Sequence, residues 1–357
     1  MERTPCVLHT LQLVVNMIRK DLSVNRLLDK ARVLVRLFRK SSVAIEQLLQ
    51  LCGLTLVKDC LTKWSSTYLM ISRLVQVKDS ILQVADGMGW DYLLPSEWLR
   101  LTALRDLLLP FAEHTKMLQS DTMSLSLVVP ALLDLSAHLC EFPQDSSYRD
   151  LASLAHKMKA NMDKRFSCFL DPSDPKFSPL TTAACFLDPT VSLTLIENDD
   201  EQIQELLRKA KDYIAEMVSP VIQEEEEADE NEQEEERGEA PEAKRPRFRF
   251  LSKASASRRP SSLSKPCVRQ EIQKFMGQLS EVEPINEETA LQYWAAQGSV
   301  YPSLKPLACD LLAMPASQAL AERVFSVTGY LSRGRRNRAR VILERSAFLK
   351  LNRDPIQ

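Results

Sequence analysis

Apolar residues in this 357-residue chain recur three and four positions apart almost from end to end. No stretch shows the two-residue alternation of a half-buried strand. Leu8, Leu11, Val14, Val15 and Ile18 form one stripe. Leu69, Ile71, Leu74, Val75, Ile81 and Leu82 form a second after Trp64. Leu99, Leu101, Leu104, Leu107, Leu108 and Phe111 form a third, for which Ser96 is the expected N-cap. The spacing continues through Tyr148–Phe169 and Asp200–Val218, where Glu201 and Glu205 stand one turn apart near the end of the helix dipole that favours carboxylates. Only 8 glycines in this length disfavour a loop-rich all-β chain. The expected fold class is mainly α.

One segment breaks the pattern. Twelve acids and one base lie between Glu224 and Glu242, and a basic, serine-rich block runs from Lys244 to Lys265. Such a segment cannot bury enough apolar surface to offset its ordering entropy, so residues 221–265 are read as a disordered linker. Helical spacing resumes after Pro266. It predicts helices over Val268–Leu279, over Glu287–Gln297 and over Pro302–Met314, the last with Leu304, Leu307, Leu311 and Leu312 on one face. Ser317 stands where the cap of a further helix carrying Glu322 belongs. No internal repeat is visible.

The net charge of −2 conceals a strong segregation. The block Glu224–Glu242 carries −11, so the rest of the chain carries +9. A basic body suggests a polyanionic partner. The eight cysteines are scattered and form no C-x-x-C pair, so the four clustered ligands of a zinc finger are absent. Cys6 and His9 lie one helical turn apart, but two ligands make no structural site; a packed thiol and a buried, hydrogen-bonded imidazole are expected there. His114, His138 and His156 fall in separate helical segments, and Gly87-Met-Gly89 lacks the rest of a phosphate loop. No cleavable signal pattern opens the chain, and no apolar run is read as long enough to cross a bilayer. A soluble, intracellular protein is expected.

Several short motifs occur in order. Cys6-Val-Leu-His9 is followed by Leu11, Leu13 and Val14; then come Lys63-Trp-Ser-Ser-Thr-Tyr68, Ala184-Cys-Phe-Leu-Asp-Pro189 and Tyr301-Pro-Ser-Leu-Lys-Pro-Leu-Ala308. The most specific is Pro315-Ala-Ser-Gln-Ala-Leu-Ala-Glu-Arg-Val-Phe-Ser-Val-Thr-Gly329, with Arg333-Gly-Arg-Arg-Asn-Arg338 after it and an amphipathic helix from about Val341 to Leu351. Together they resemble, in family order, hAT-superfamily transposases and the host proteins derived from them, in style those that carry BED-type zinc fingers. The last motif resembles the family's C-terminal dimerisation region.

The resemblance implies a four-part organisation. Residues 1–65 would be a residual RNase H-like segment, 66–220 an all-helical insertion region, 221–265 the acidic and basic linker, and 266–357 the dimerisation region. It thus implies a mainly α chain: a helical insertion plus the C-terminal helices of an incomplete RNase H-like fold. In this family two aspartates and a glutamate hold two metal ions about 3.5–4 Å apart across the scissile phosphate. Glu322 occupies the position of that glutamate. The two aspartates lie ahead of the C-x-x-H segment, which here starts at residue 6. Glu322 alone cannot hold two ions, so no catalysis, metal or cofactor is expected, and a helix-surface role for Glu322 is the plainer reading.

Dimerisation is assigned by the same resemblance to the large apolar residues Trp294, Tyr301, Leu304, Leu311, Leu320, Val324, Phe325, Phe348 and Leu349. An intramolecular core is the competing use of these side chains. Arg333, Arg335, Arg336 and Arg338 are suited to DNA phosphates, or to acids of a partner subunit. Trp64 matches a family tryptophan that approaches DNA, with ordinary packing as the alternative. Lys244, Arg245 and Arg247 read as a nuclear import signal. The function expected is that of a non-catalytic, transposase-derived nuclear protein that dimerises, with DNA binding that is not sequence-specific. Its expected partners are a second copy or other hAT-derived proteins, and DNA, but neither a membrane nor a small-molecule substrate. The alternative is a truncated fragment of a DNA transposase that lacks its leading aspartates.

Overall fold

The computed structural model describes residues 5–60, 63–119, 125–234, 268–281 and 289–318, with Glu322, Val324, Phe325, Thr328, Arg345 and Phe348. Among these residues there is no β-strand; a single isolated bridge pairs Cys60 with Lys63. The chain is mainly α, as its periodicity predicts. No strand of an RNase H-like sheet lies among the described residues.

Contacts divide the chain into two compact units: Met1–Thr181 with Leu312–Gln357, and Thr182–Leu311. The first includes α1 (Val7–Val15), α2 (Met17–Lys20), α3 (Leu22–Lys40), α4 (Ser42–Cys52), α5 (Trp64–Gln76), α6 (Lys78–Met88), α7 (Pro95–Leu118), α8 (Val128–Glu141) and α9 (Ala152–Leu170). α7 is the central helix. It packs on α5, α1 and α8, and α9 packs on α8 and α1. Leu104, Leu107, Leu108 and Phe111 of α7, Leu132 and Leu135 of α8, and Met158 and Phe166 of α9 are fully enclosed.

Local chemistry sets the helix ends. Asp21 caps α3, its carboxylate accepting from the backbone N–H of Ser23 and Val24 at 3.1 Å. The Ser41 hydroxyl caps α4 by accepting from Ala44 N at 3.2 Å. Gly53 ends α4 and Gly89 ends α6 with φ of 69° and 62°, the left-handed region that only glycine enters without strain. α7 begins earlier than Ser96 suggests. Pro95 takes its first position, where a missing N–H costs nothing, and the Glu97 carboxylate accepts from Leu94 N at 2.9 Å. Register also moves Leu99 out of the stripe expected to be buried; it is 72% exposed.

One apolar stretch corrects the reading of the sequence. Leu125–Gln144 is long and apolar enough to cross a membrane, by length and composition alone. Its α8 portion buries Val128, Leu132, Leu135 and Leu139 within the first unit.

α10 (Leu180–Phe186) spans the boundary between the units. The second unit continues with α11 (Leu193–Ile196), α12 (Glu201–Glu234), α13 (Val268–Glu281), α14 (Ala290–Gln297) and α15 (Leu304–Leu312). α11, α12 and α13 pack on one another. α12 continues to Glu234, so the start of the segment expected to be disordered is helical. Glutamate is a good helix former, and the helix is nucleated by the buried stripe Ile203, Leu206, Leu207, Ala210, Ile214 and Val218.

Candidate association region

Phe275 on α13 is the hub of the second unit's core. Its ring centroid lies 5.6 Å from Phe186, 6.2 Å from Tyr293, 5.2 Å from Trp294 and 5.8 Å from Tyr301. Most of these pairs are edge-to-face, the arrangement favoured by the ring quadrupoles. The Trp294 indole N–H donates to the Leu187 carbonyl at 2.7 Å. The Tyr301 hydroxyl donates to Gln278 Oε1, and the Lys274 ammonium lies 5.7 Å from the Tyr301 ring centroid. Burial pushes the Tyr293 phenol well above its ordinary value, and also raises that of Tyr301. Both rings therefore stay neutral at physiological pH.

Polar groups close the ends of the helices here. Thr289 and Gln292 form a reciprocal capping box at the start of α14. Glu271 is 2% exposed, and its carboxylate accepts from the backbone N–H of Ser303 and Leu304, each at 3.1 Å. It thus caps α15 from another helix, placing negative charge at the positive end of the dipole.

The residues expected to dimerise separate into two groups. Trp294, Tyr301, Leu304 and Leu311 are at most 2% exposed and serve the second unit's own core. Val324 is half-buried, whereas Phe325 and Phe348 are 74% and 66% exposed. Leu320 and Leu349 lie outside the described residues, as do Arg333, Arg335, Arg336 and Arg338, and Lys244, Arg245 and Arg247. Glu322 is exposed on a helical stretch, its N–H donating to Gln318 O at 2.9 Å. The Ser317 hydroxyl donates to Leu118 O at 3.3 Å.

Two further residues singled out in the sequence can be placed. Trp64 is 4% exposed at the first turn of α5, inside the first unit, so its indole is not a surface group. His9 is exposed rather than buried. α1 buries Val7, Leu11, Val14 and Val15, and position 9 falls on the opposite side of the helix. Phe275 and Glu271 carry much of the second unit's architecture but were not singled out from the sequence. Phe275 is signalled by the stripe of the helix predicted over Val268–Leu279; the capping role of Glu271 has no local signal, because its partners are 32 and 33 positions away.

Residues 264–350 match the hAT family C-terminal dimerisation region. The chain is also similar to a human protein, zinc finger BED domain-containing protein 4, at 24% identity over 362 residues. That alignment covers 97% of this chain but 29% of the relative, so the chain spans under a third of the relative's length. The ordered motifs and these two matches agree. The chain is related to the hAT transposases and carries, over residues 264–350, their type of C-terminal dimerisation region.

Proposed function

We propose that this chain is a non-catalytic, transposase-derived nuclear protein that works by self-association, or by association with other hAT-derived proteins, through its C-terminal region. The observation that carries this reading is the exposure of Phe325 and Phe348 within the matched stretch. Covering a large aromatic side chain contributes about 1.5–3 kcal/mol. Rings of this kind are typical anchors at the centres of interfaces. The non-catalytic part is supported by the exposed position of Glu322. Among the described residues, no three His, Cys, Asp or Glu side chains are grouped to hold a metal ion. Arg333, Arg335, Arg336 and Arg338 would add DNA contacts through phosphates, and Lys244, Arg245 and Arg247 would direct nuclear import.

Light scattering on the purified chain at tens of micromolar tests the association. A dimer is expected, converted to monomer by the double substitution Phe325→Ser/Phe348→Ser with unchanged helical circular dichroism. A wild-type chain that is monomeric under these conditions overturns self-association. A second reading, a portion of a larger DNA transposase, is favoured by the 29% coverage of the relative. Magnesium- or manganese-stimulated strand scission, abolished by Glu322→Gln, would establish that reading and refute the first.

A further inference from the structure

α3 presents a second functional-looking face besides its buried stripe. Arg32, Arg36, Arg39 and Lys40 fall at i, i+4, i+7 and i+8, on one side of the helix. Lys58 reaches the same place from the segment after α4. These five cations, with Val35, Asp59 and Met70, line a cavity of about 450 Å³. Val35 and Met70 are 2% and 1% exposed and form an apolar floor.

Among the described residues, the cavity's one carboxylate is already engaged. Asp59 accepts two N–H groups from Arg32, at 3.0 and 2.9 Å, and the Thr67 hydroxyl at 3.2 Å. Arg32 donates as well to Asp29 at 2.8 Å. Arg39 gives one N–H to the Leu56 carbonyl at 3.3 Å. Among the described residues, Arg36, Lys40 and Lys58 form no ion pair. Arg39 and Lys40 in the last turn suit the helix dipole, which accounts for those two alone. Arg36 and Lys58 are left without compensation beside like charges around one concavity.

We propose that this cavity binds a compact organic polyphosphate, a small molecule bearing two or more clustered phosphate groups. Arginine forks match phosphate oxygens in bidentate geometry, and lysines add point charge at the rim. The volume falls within the roughly 300–1,000 Å³ range of small-molecule pockets. The four cations of α3 span about 12 Å of helix axis, the reach of one such ligand. Single-stranded nucleic acid is disfavoured because, among the described residues, no aromatic side chain lines the cavity to stack a base. Inositol polyphosphates and nucleoside triphosphates share the required chemistry.

Calorimetry on the full chain, in about 50 mM salt where screening is weak, tests this with three separate probes. These are ATP without divalent metal, inositol hexakisphosphate, and a short single-stranded oligonucleotide. At least one small polyphosphate is expected to bind with Kd of about 100 µM or tighter. Arg36→Gln/Lys58→Gln and, independently, Arg39→Gln/Lys40→Gln should each weaken it at least tenfold. All four substituted positions are exposed, so circular dichroism should be unchanged. Which small probe binds identifies the source of the phosphates. The proposal fails if neither binds below about 1 mM, or if binding survives both cavity variants. It fails equally if those variants weaken only the oligonucleotide.

Discussion

Trp294 donates its indole N–H to the carbonyl of Leu187, 107 positions earlier, at 2.7 Å, and both residues are fully buried. This bond ties α14 to the end of α10 inside the second unit. Trp294→Phe keeps an aromatic ring but strands the Leu187 carbonyl away from water. A loss of about 1–3 kcal/mol is expected from urea unfolding of the purified chain. Trp294→Ala should cost about 3–5 kcal/mol through the cavity it leaves. A Phe variant as stable as the parent would show that the bond contributes nothing net.

Glu271 is a buried carboxylate whose described partners are the backbone N–H groups of Ser303 and Leu304. Glu271→Ala leaves both donors unsatisfied at the start of α15, and a loss of about 1–3 kcal/mol is expected. Glu271→Gln keeps an acceptor and should lose less. Equal melting temperatures for the two variants would remove the capping role.

Asp21 accepts from Ser23 and Val24, and these hydrogen bonds, that of the Ser23 hydroxyl foremost, hold its carboxyl below the ordinary value of 3.8. A depressed carboxyl stabilises the fold above its unfolded pKa, and the contribution disappears as pH falls through the folded value. Asp21→Ala should therefore cost about 1 kcal/mol at neutral pH and progressively less below pH 4. Asp21→Asn should retain the cap while losing the acid dependence. A cost for Asp21→Ala that is flat between pH 7 and pH 2 would contradict this account.

Thiol reactivity should follow burial. Cys60 and Cys140 are exposed, whereas Cys185 is buried and burial pushes its thiol far above the ordinary value. Iodoacetamide followed by mass spectrometry should modify Cys60 and Cys140 in the native chain and reach Cys185 only after denaturant is added. Native labelling of Cys185 at a comparable rate would show that the second unit opens readily.

The helices were legible in the sequence because a buried stripe must recur every three or four residues wherever it occurs. The stripe ending at Ile18 and the helix over Val268–Leu279 reappear, whereas the stripe read from Leu69 is divided between α5 and α6, with Leu69 itself exposed. Individual burial was less legible. Leu99 belongs to an apolar stripe yet is exposed, and His9 lies opposite the face that α1 buries. The association region shows the same limit. Trp294 and Phe325 look alike as large aromatics in one matched stretch, but one completes a core and the other meets solvent.

By itself the sequence determined the mainly α class, the charge segregation and the kinship with hAT transposases, since these reside in composition, spacing and ordered motifs. Only the tertiary structure decided that Glu271 caps a helix 32 positions away and that Arg36 and Lys58 border one cavity. The reason is physical: periodicity fixes which residues share a face of one helix, but which faces meet depends on packing between elements far apart in the chain.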